Sequence, residues 1–231
     1  MKRRQRTRTL IQVAVAVAAA LIASTQFTVV DVAAQDEIEQ SEVFDAAAYV
    51  EETWEEIQST VRDGAVDLAT VLNAIEVDAS SSVAKEALTA VTEQYGLITP
   101  GEAHVYTVTA TGTVVSVDTE SSRGTLQLQV DGYDGPIQLN VFIGPRLPSG
   151  DTSVRDAVGI DFGDFREQTE YGQVASEINN RVRDEILATL DFESMVGSQI
   201  TVLGAFTIRT FNLLTIDLSE IDVIPVAMEG P

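Results

Sequence analysis

An α+β fold is what this chain predicts, on three observations. Apolar residues recur at steps of three and four before about residue 98. Between Ala103 and Val226 the period falls to two in five separate stretches. One long helical pattern lies between the third and the fourth of them. Strand, strand, strand, helix, strand, strand is the order of a five-stranded OB-type barrel. The expected architecture is therefore a five-stranded OB-like β-barrel over 99–231, with the long helix between strands 3 and 4. A helical N-terminal extension over 44–98 precedes it.

The chain begins with a targeting or anchoring device over 1–34. Lys2, Arg3, Arg4, Arg6 and Arg8 precede an apolar run from Leu10 to Ala23. Basic residues stay on the cytoplasmic side, so the rest is expected to be exported. Val32-Ala33-Ala34 suits cleavage before Gln35. The run also reaches Val30 if Ser24, Thr25, Gln26 and Thr28 are tolerated, which approaches the length of a span. Cleaved signal and retained membrane helix both stay open, and retention is expected in a good share of molecules.

Residues 35–43 form an acidic linker. Asp45 then suits the cap of a helix starting near Ala46. Val50, Trp54, Ile57, Val61, Ala65, Leu68, Leu72 and Ile75 trace one seam, with Gly64 marking a bend or break. Trp54 reads as core in preference to a ligand platform. A second helix is expected after Ser82, with Ala84, Leu88, Val91 and Tyr95 on one face and Gly96 closing it.

The strands follow. The first runs from His104 to Val117, with Gly112 as a bulge or bend. The polar turn 118–124 leads into Thr125 to Val130, then Ile137 to Ile143. The long helix starts near Asp161 to Asp164, carries Val174, Ile178, Val182 and Ile186 on one stripe, and ends before Gly197. Gln199 to Ile208 and Leu213 to Val226 complete the five strands.

Composition removes several functions. There is no cysteine, so thiolate catalysis and zinc–thiolate sites are out. The lone His104, at a strand start, reads as structural. No phosphate-cradling glycine loop is present, and Asp161 and Asp164 read as helix caps more cheaply than as metal ligands. Neither a metal nor any other cofactor is expected. The net charge is −22, and loss of 1–34 would leave 9 basic against 35 acidic residues. Such a surface repels phosphate backbones, so nucleic acid is not an expected partner. The same acidity also serves solubility alone.

The candidate site lies between the third strand and the long helix. Thr152, Arg155, Asp156, Gln168, Glu170 and Tyr171 are the nominated binding residues. A guanidinium fork, a carboxylate, an amide and a ring suit a small polar ligand such as a sugar. The alternative is an internal network that fixes the loop on the barrel. Two function classes follow: a non-catalytic binding or accessory protein, and a carboxylate-dependent hydrolase or transferase using residues such as Asp156 and Glu170. Scarcity of histidine and absence of cysteine favour the first.

The same stretch carries a resemblance. Ile143-Gly144-Pro145, Thr152 with Arg155-Asp156-Ala157, Phe162 with Phe165, and Gln168 with Glu170-Tyr171 resemble the motifs of DUF2291, a family of predicted bacterial periplasmic lipoproteins. Within it Gly144, Pro145, Phe162 and Phe165 are structural motif positions. Similar matches are Phe44 to Trp54, Ala65 with Asp67-Leu68, Tyr95-Gly96 and Gly204 with Phe206, so the likeness covers nearly all of 25–226. It implies an exported, membrane-associated protein working beside sugar ABC transporter components, without implying a mechanism. Many members carry a lipid-bearing cysteine; here its absence leaves an uncleaved N-terminal helix or simple secretion.

Overall fold

The computed structural model describes residues 44–148 and 150–230. The expected leader or anchor over 1–34 and the linker over 35–43 lie outside the described residues. Among the described residues no helix is long and apolar enough to cross a membrane.

Helix α1 spans Ala46–Gly64, and Asp45 starts it. The Asp45 Oδ1 accepts from the N–H groups of Ala47 and Ala48, each at 3.0 Å. These are two of the four donors that a helix start leaves unpaired. Val50, Trp54, Ile57 and Val61 are buried along one face. Burying each side chain of this kind is worth about 1.5–3 kcal/mol. The helix ends at Gly64, whose carbonyl accepts from Thr107 Oγ1 at 2.7 Å. A two-residue strand β1 (Val66–Asp67) and helix α2 (Leu68–Ala74) follow. The apolar seam thus runs across a break, because Leu68, Leu72 and Ile75 stay buried while the backbone changes state.

After β2 (Ser82–Ala84), helix α3 covers Lys85–Tyr95, and β3 (Leu97–Ile98) follows at once. Gly96 is required where they meet, since a Cβ there would sit 2.5 Å from the Val105 carbonyl oxygen.

Strand β4 (Ala103–Asp118) is the long member around which the sheet is arranged. Its first eleven residues pair antiparallel with β7 (Gln199–Arg209). From Gly112 onward its other edge pairs with β5 (Thr125–Val130). Strand β5 pairs with β6 (Gln138–Phe142), β6 runs parallel to β9 (Glu220–Glu229), and β9 pairs with β7. Because β4 holds both β5 and β7, the sheet curls back until its last strand meets its longest.

Two expectations need correction here. The expected five-stranded barrel is a seven-stranded sheet, because β1 and β3 add to the free edge of β4. The fifth expected strand is two: β8 (Thr215–Asp217) leaves to pair with β2, and β9 begins after a turn. The Asp217 carboxylate makes that turn by accepting the Ser219 N–H at 2.9 Å. Gly112 marks a close approach, with the Gln129 carbonyl 2.2 Å from where a Cβ would lie. The bulge itself falls between Val114 and Ser116.

The long helix is also divided. Ser153–Ala157 forms a short α4 that the apolar pattern did not suggest. Phe162–Asp164 is a 3₁₀ turn, capped by Asp161, whose Oδ1 accepts from the Gly163 N–H at 2.6 Å. Helix α5 begins only at Gln168 and runs to Arg181, continuing as a π turn over Val182–Ile186. The wider turn explains which side chains are inside. Val182 and Leu187, five apart, are buried, whereas the expected Ile186 is half-exposed.

Candidate functional site

Local chain chemistry builds the start of α4. Asp151 Oδ1 accepts the Ser153 N–H at 2.8 Å, and Thr152 Oγ1 donates to Asp156 Oδ2 at 2.6 Å. Arg155 folds back on its neighbour: Nε and Nη2 both donate to Asp156 Oδ1, at 3.0 and 2.7 Å. Its remaining Nη1 donates to the Tyr171 carbonyl at 3.0 Å. The guanidinium carbon also lies 3.5 Å from the centre of the Tyr171 ring. The two charged side chains are only 8% and 11% exposed. So deep a pair needs its donors and acceptors matched, and these are.

Tyr171 extends the network. Its hydroxyl donates to the Ile160 carbonyl at 3.3 Å, and its ring packs against Phe162 and Phe165, each with centres 5.6 Å apart. Burial, foremost, raises the Tyr171 pKa, while the Arg155 charge opposes it. Of the nominated residues, Thr152, Arg155, Asp156 and Tyr171 come together. Gln168 is exposed and makes no side-chain hydrogen bond among the described residues. Glu170 is used locally, its Oε2 accepting the Arg166 N–H at 2.9 Å. The two expected partners on one helix face therefore diverge, because α5 starts at Gln168 and only Tyr171 is turned onto α4.

Arg155, Asp156 and Tyr171 form one wall of a cleft of about 430 Å³. Leu97, Ile98 and Phe162 form much of the rest, and all three are exposed. Gly144 of the nominated motif lies elsewhere. A Cβ on it would stand 1.8 Å from the Arg123 carbonyl oxygen, so only glycine lets these two backbones meet.

A second group was missed by sequence reasoning. A cleft of about 540 Å³ lies between Arg123 of the 119–124 turn and residues 213–218, and Thr207 and Arg209 of β7 and Glu220 and Asp222 of β9 contribute to its lining. Glu220 and Asp222 in its wall are held by Asn140 of β6, whose Nδ2 donates to Asp222 Oδ1 at 3.1 Å and to Glu220 Oε2 at 3.2 Å. Arg123 stands at the rim. Burial, foremost, raises the Asp222 pKa above the ordinary 3.8, with Asn140 opposing and Glu220 adding to it. The signal was present: Glu220 and Asp222 alternate with apolar neighbours in a strand, which aims both at the same outer face.

His104 belongs to neither cleft. It is buried, with its Nδ1 2.6 Å from Thr92 Oγ1. Thr92 spends its one proton on the Leu88 carbonyl at 2.8 Å. Its oxygen therefore accepts from the imidazole N–H and from the Tyr106 hydroxyl, 2.5 Å away. Burial pushes the Tyr106 pKa up to about 12.

The strand order is that of an OB-type fold. A crystal structure of an OB-fold protein from Thermotoga maritima is similar, with a TM-score of 0.59 and 18% identity. The likeness covers 82% of this chain and 100% of that one, and at such identity it speaks for the fold. The chain belongs to the DUF2291 family of predicted periplasmic lipoproteins, whose model matches residues 15–229. No curated protein matches it. Membership puts the chain among exported proteins, yet its 231 residues hold no cysteine to carry a lipid.

Proposed function

We propose that this is a periplasmic accessory protein, held at the membrane by its N-terminal apolar run, that binds a neutral polyhydroxylated ligand in support of a sugar transporter. One observation carries the binding part. The cleft lies between the loops that join the first to the second and the fourth to the fifth strand of the OB order, with Arg123 in one and Leu213, Asp217 and Leu218 in the other, and these are loops by which OB folds take oligosaccharides. It offers acceptors on Asp222 and Glu220, both held by the Asn140 amide, and donors on Arg123. Hydroxyl groups need both kinds. The network of Thr152, Arg155, Asp156 and Tyr171 belongs to a different cleft and serves the fold, since its polar atoms satisfy one another.

The test is thermal stabilisation of the purified chain by a panel of neutral sugars and polyols. A ligand that binds only the folded state raises the melting temperature by mass action. The shift is expected to disappear in Asn140→Ala. A panel without any saturable shift would remove the proposal.

A second reading rests on the same residues. Two carboxylates share one amide nitrogen, and one of them has a raised pKa, which is how acid and base roles separate in glycoside hydrolysis. Turnover of an aryl glycoside that is lost in Asp222→Asn would favour a hydrolase or transferase. Binding without turnover favours the accessory role.

A further inference from the structure

Nine basic residues in positions 35–231 face 35 acidic ones, yet three of the nine meet around a single cleft of about 370 Å³. Arg123 comes from the turn between β4 and β5. Arg146 follows Gly144-Pro145 after β6, and Arg183 lies in the π turn that extends α5. Asn180 and Ser122 add polar atoms to the lining, and no Asp or Glu contributes to it among the described residues.

The three cations are not equivalent. Arg183 is anchored from outside: Nε and Nη2 donate to the two Asp184 oxygens at 2.7 Å each, and Nη1 donates to Asn180 Oδ1 at 3.0 Å. That leaves one N–H on each terminal nitrogen. Glu177 is close by, but its carboxylate accepts from the Asn180 amide at 3.0 Å. Arg123 and Arg146 are exposed and have no hydrogen bond or salt bridge among the described residues. In a chain this acidic, carboxylates are the commonest available partners, so two guanidinium groups that line one cleft without an ion pair call for a reason, even though Arg123 acts on Asp222 as a charge.

Their placement is built into the backbone. The Ile143 N–H donates to the Gly124 carbonyl at 3.1 Å, and Gly144 has no room for a side chain against Arg123. The segments bearing Arg123 and Arg146 are thereby fastened together beside Arg123 and within three residues of Arg146. The π turn, a feature frequent at functional sites, carries the third.

We propose that this cleft binds a phosphate monoester or inorganic phosphate. Two free guanidinium forks match the charge of a dianion, and the planar N–H pairs match its oxygens. The anchored Arg183 supplies further donors without reorganising. The site adjoins the polyol cleft and shares Arg123 and Pro148 with it, whereas Arg146, Asn180 and Arg183 line this cleft and not the other.

Isothermal titration of the full-length chain with inorganic phosphate tests this, with ionic strength held constant by sodium chloride. Saturable binding is expected. Arg123→Ala and Arg146→Ala are each expected to weaken it about tenfold or more, as loss of a hydrogen-bonded charge does. Arg62→Ala, an exposed arginine of α1, is expected to leave it unchanged. Absence of saturable heat overturns the proposal. So does an Arg62→Ala effect equal to that of Arg146→Ala, which would reduce binding to general charge. Asn140→Ala is expected to leave the phosphate titration intact, which separates this site from the polyol cleft. Glycerol 3-phosphate and dihexanoyl phosphatidic acid distinguish the source. Equal affinities point to a soluble ester, and tighter binding of the second points to a lipid headgroup.

Discussion

Each nitrogen of the Arg155 guanidinium has a partner within the fold, Asp156 for Nε and Nη2 and the Tyr171 carbonyl for Nη1. Its charge is balanced by Asp156, which Thr152 also holds, and its face lies on Tyr171. Truncation to alanine would leave the Asp156 carboxylate, only 11% exposed, without its counter-charge. Breaking a buried pair in this way costs about 3–5 kcal/mol, against well under about 1 kcal/mol for a surface pair. Urea denaturation of Arg155→Ala is therefore expected to show a loss in the upper range with polyol and phosphate binding retained. A loss under about 1 kcal/mol would place the residue outside the structural network. The sequence made Arg155 and Asp156 visible because a charged pair between a strand and a helix is conspicuous. It could not make Asn140 or Arg123 visible, since a polar residue on an outer strand face or in a turn reads as ordinary surface until the fold sets its partners, or the residue itself, against a cleft.

Elements were legible where one period persists. Helix α1 starts at its predicted cap and β5 keeps its predicted ends, because each has one apolar face and clear punctuation. Strands β1 and β3, of two residues each, are too short for any period to show. The π turn was hidden because a pattern spaced by four continues across it while the backbone does not. Helix α3 illustrates how a polar residue can join elements. Thr92 on α3 fixes His104 and Tyr106 on β4, and an apolar stripe cannot announce that contact. Burial, then the Lys85 charge, lowers the His104 pKa below 6.5, with Glu102 opposing. The unfolded chain thus takes up this proton first as pH falls. The contribution is fully present above about pH 6.5 and is lost as pH drops through that value toward the lower folded pKa. Denaturation midpoints between pH 7.5 and 5 should accordingly fall more in the wild type than in His104→Asn. Parallel curves would show that the α3–β4 contact tolerates the imidazolium.

At the scale of the whole molecule, the order of five strands and one helix was legible because each reversal carries Gly, Pro, Asp or Ser. The extra strands came from the extension, which composition marks as helical. Charge is the other molecular property that sequence states outright. A net −22 on a chain of 231 residues means that carboxylates repel one another in every compact state. Among the described residues some are internally neutralised, as Asp156 is by Arg155 and Asp184 by Arg183. Salt should relieve the remainder. Between 0.01 and 0.15 M the screening length falls from about 30 to about 8 Å, so carboxylates on separate elements cease to interact. The melting temperature in sodium chloride is expected to rise over that range by a few degrees. That is what about 1 kcal/mol produces in a chain of this size. The rise should level off above about 0.3 M, where the screening length is shorter than the spacing of most surface charges. A flat melting temperature would mean that paired groups such as Lys85 with Glu102, weak as exposed pairs are, already offset the repulsion. A steady rise into molar salt would point instead to ion exclusion from the apolar surface.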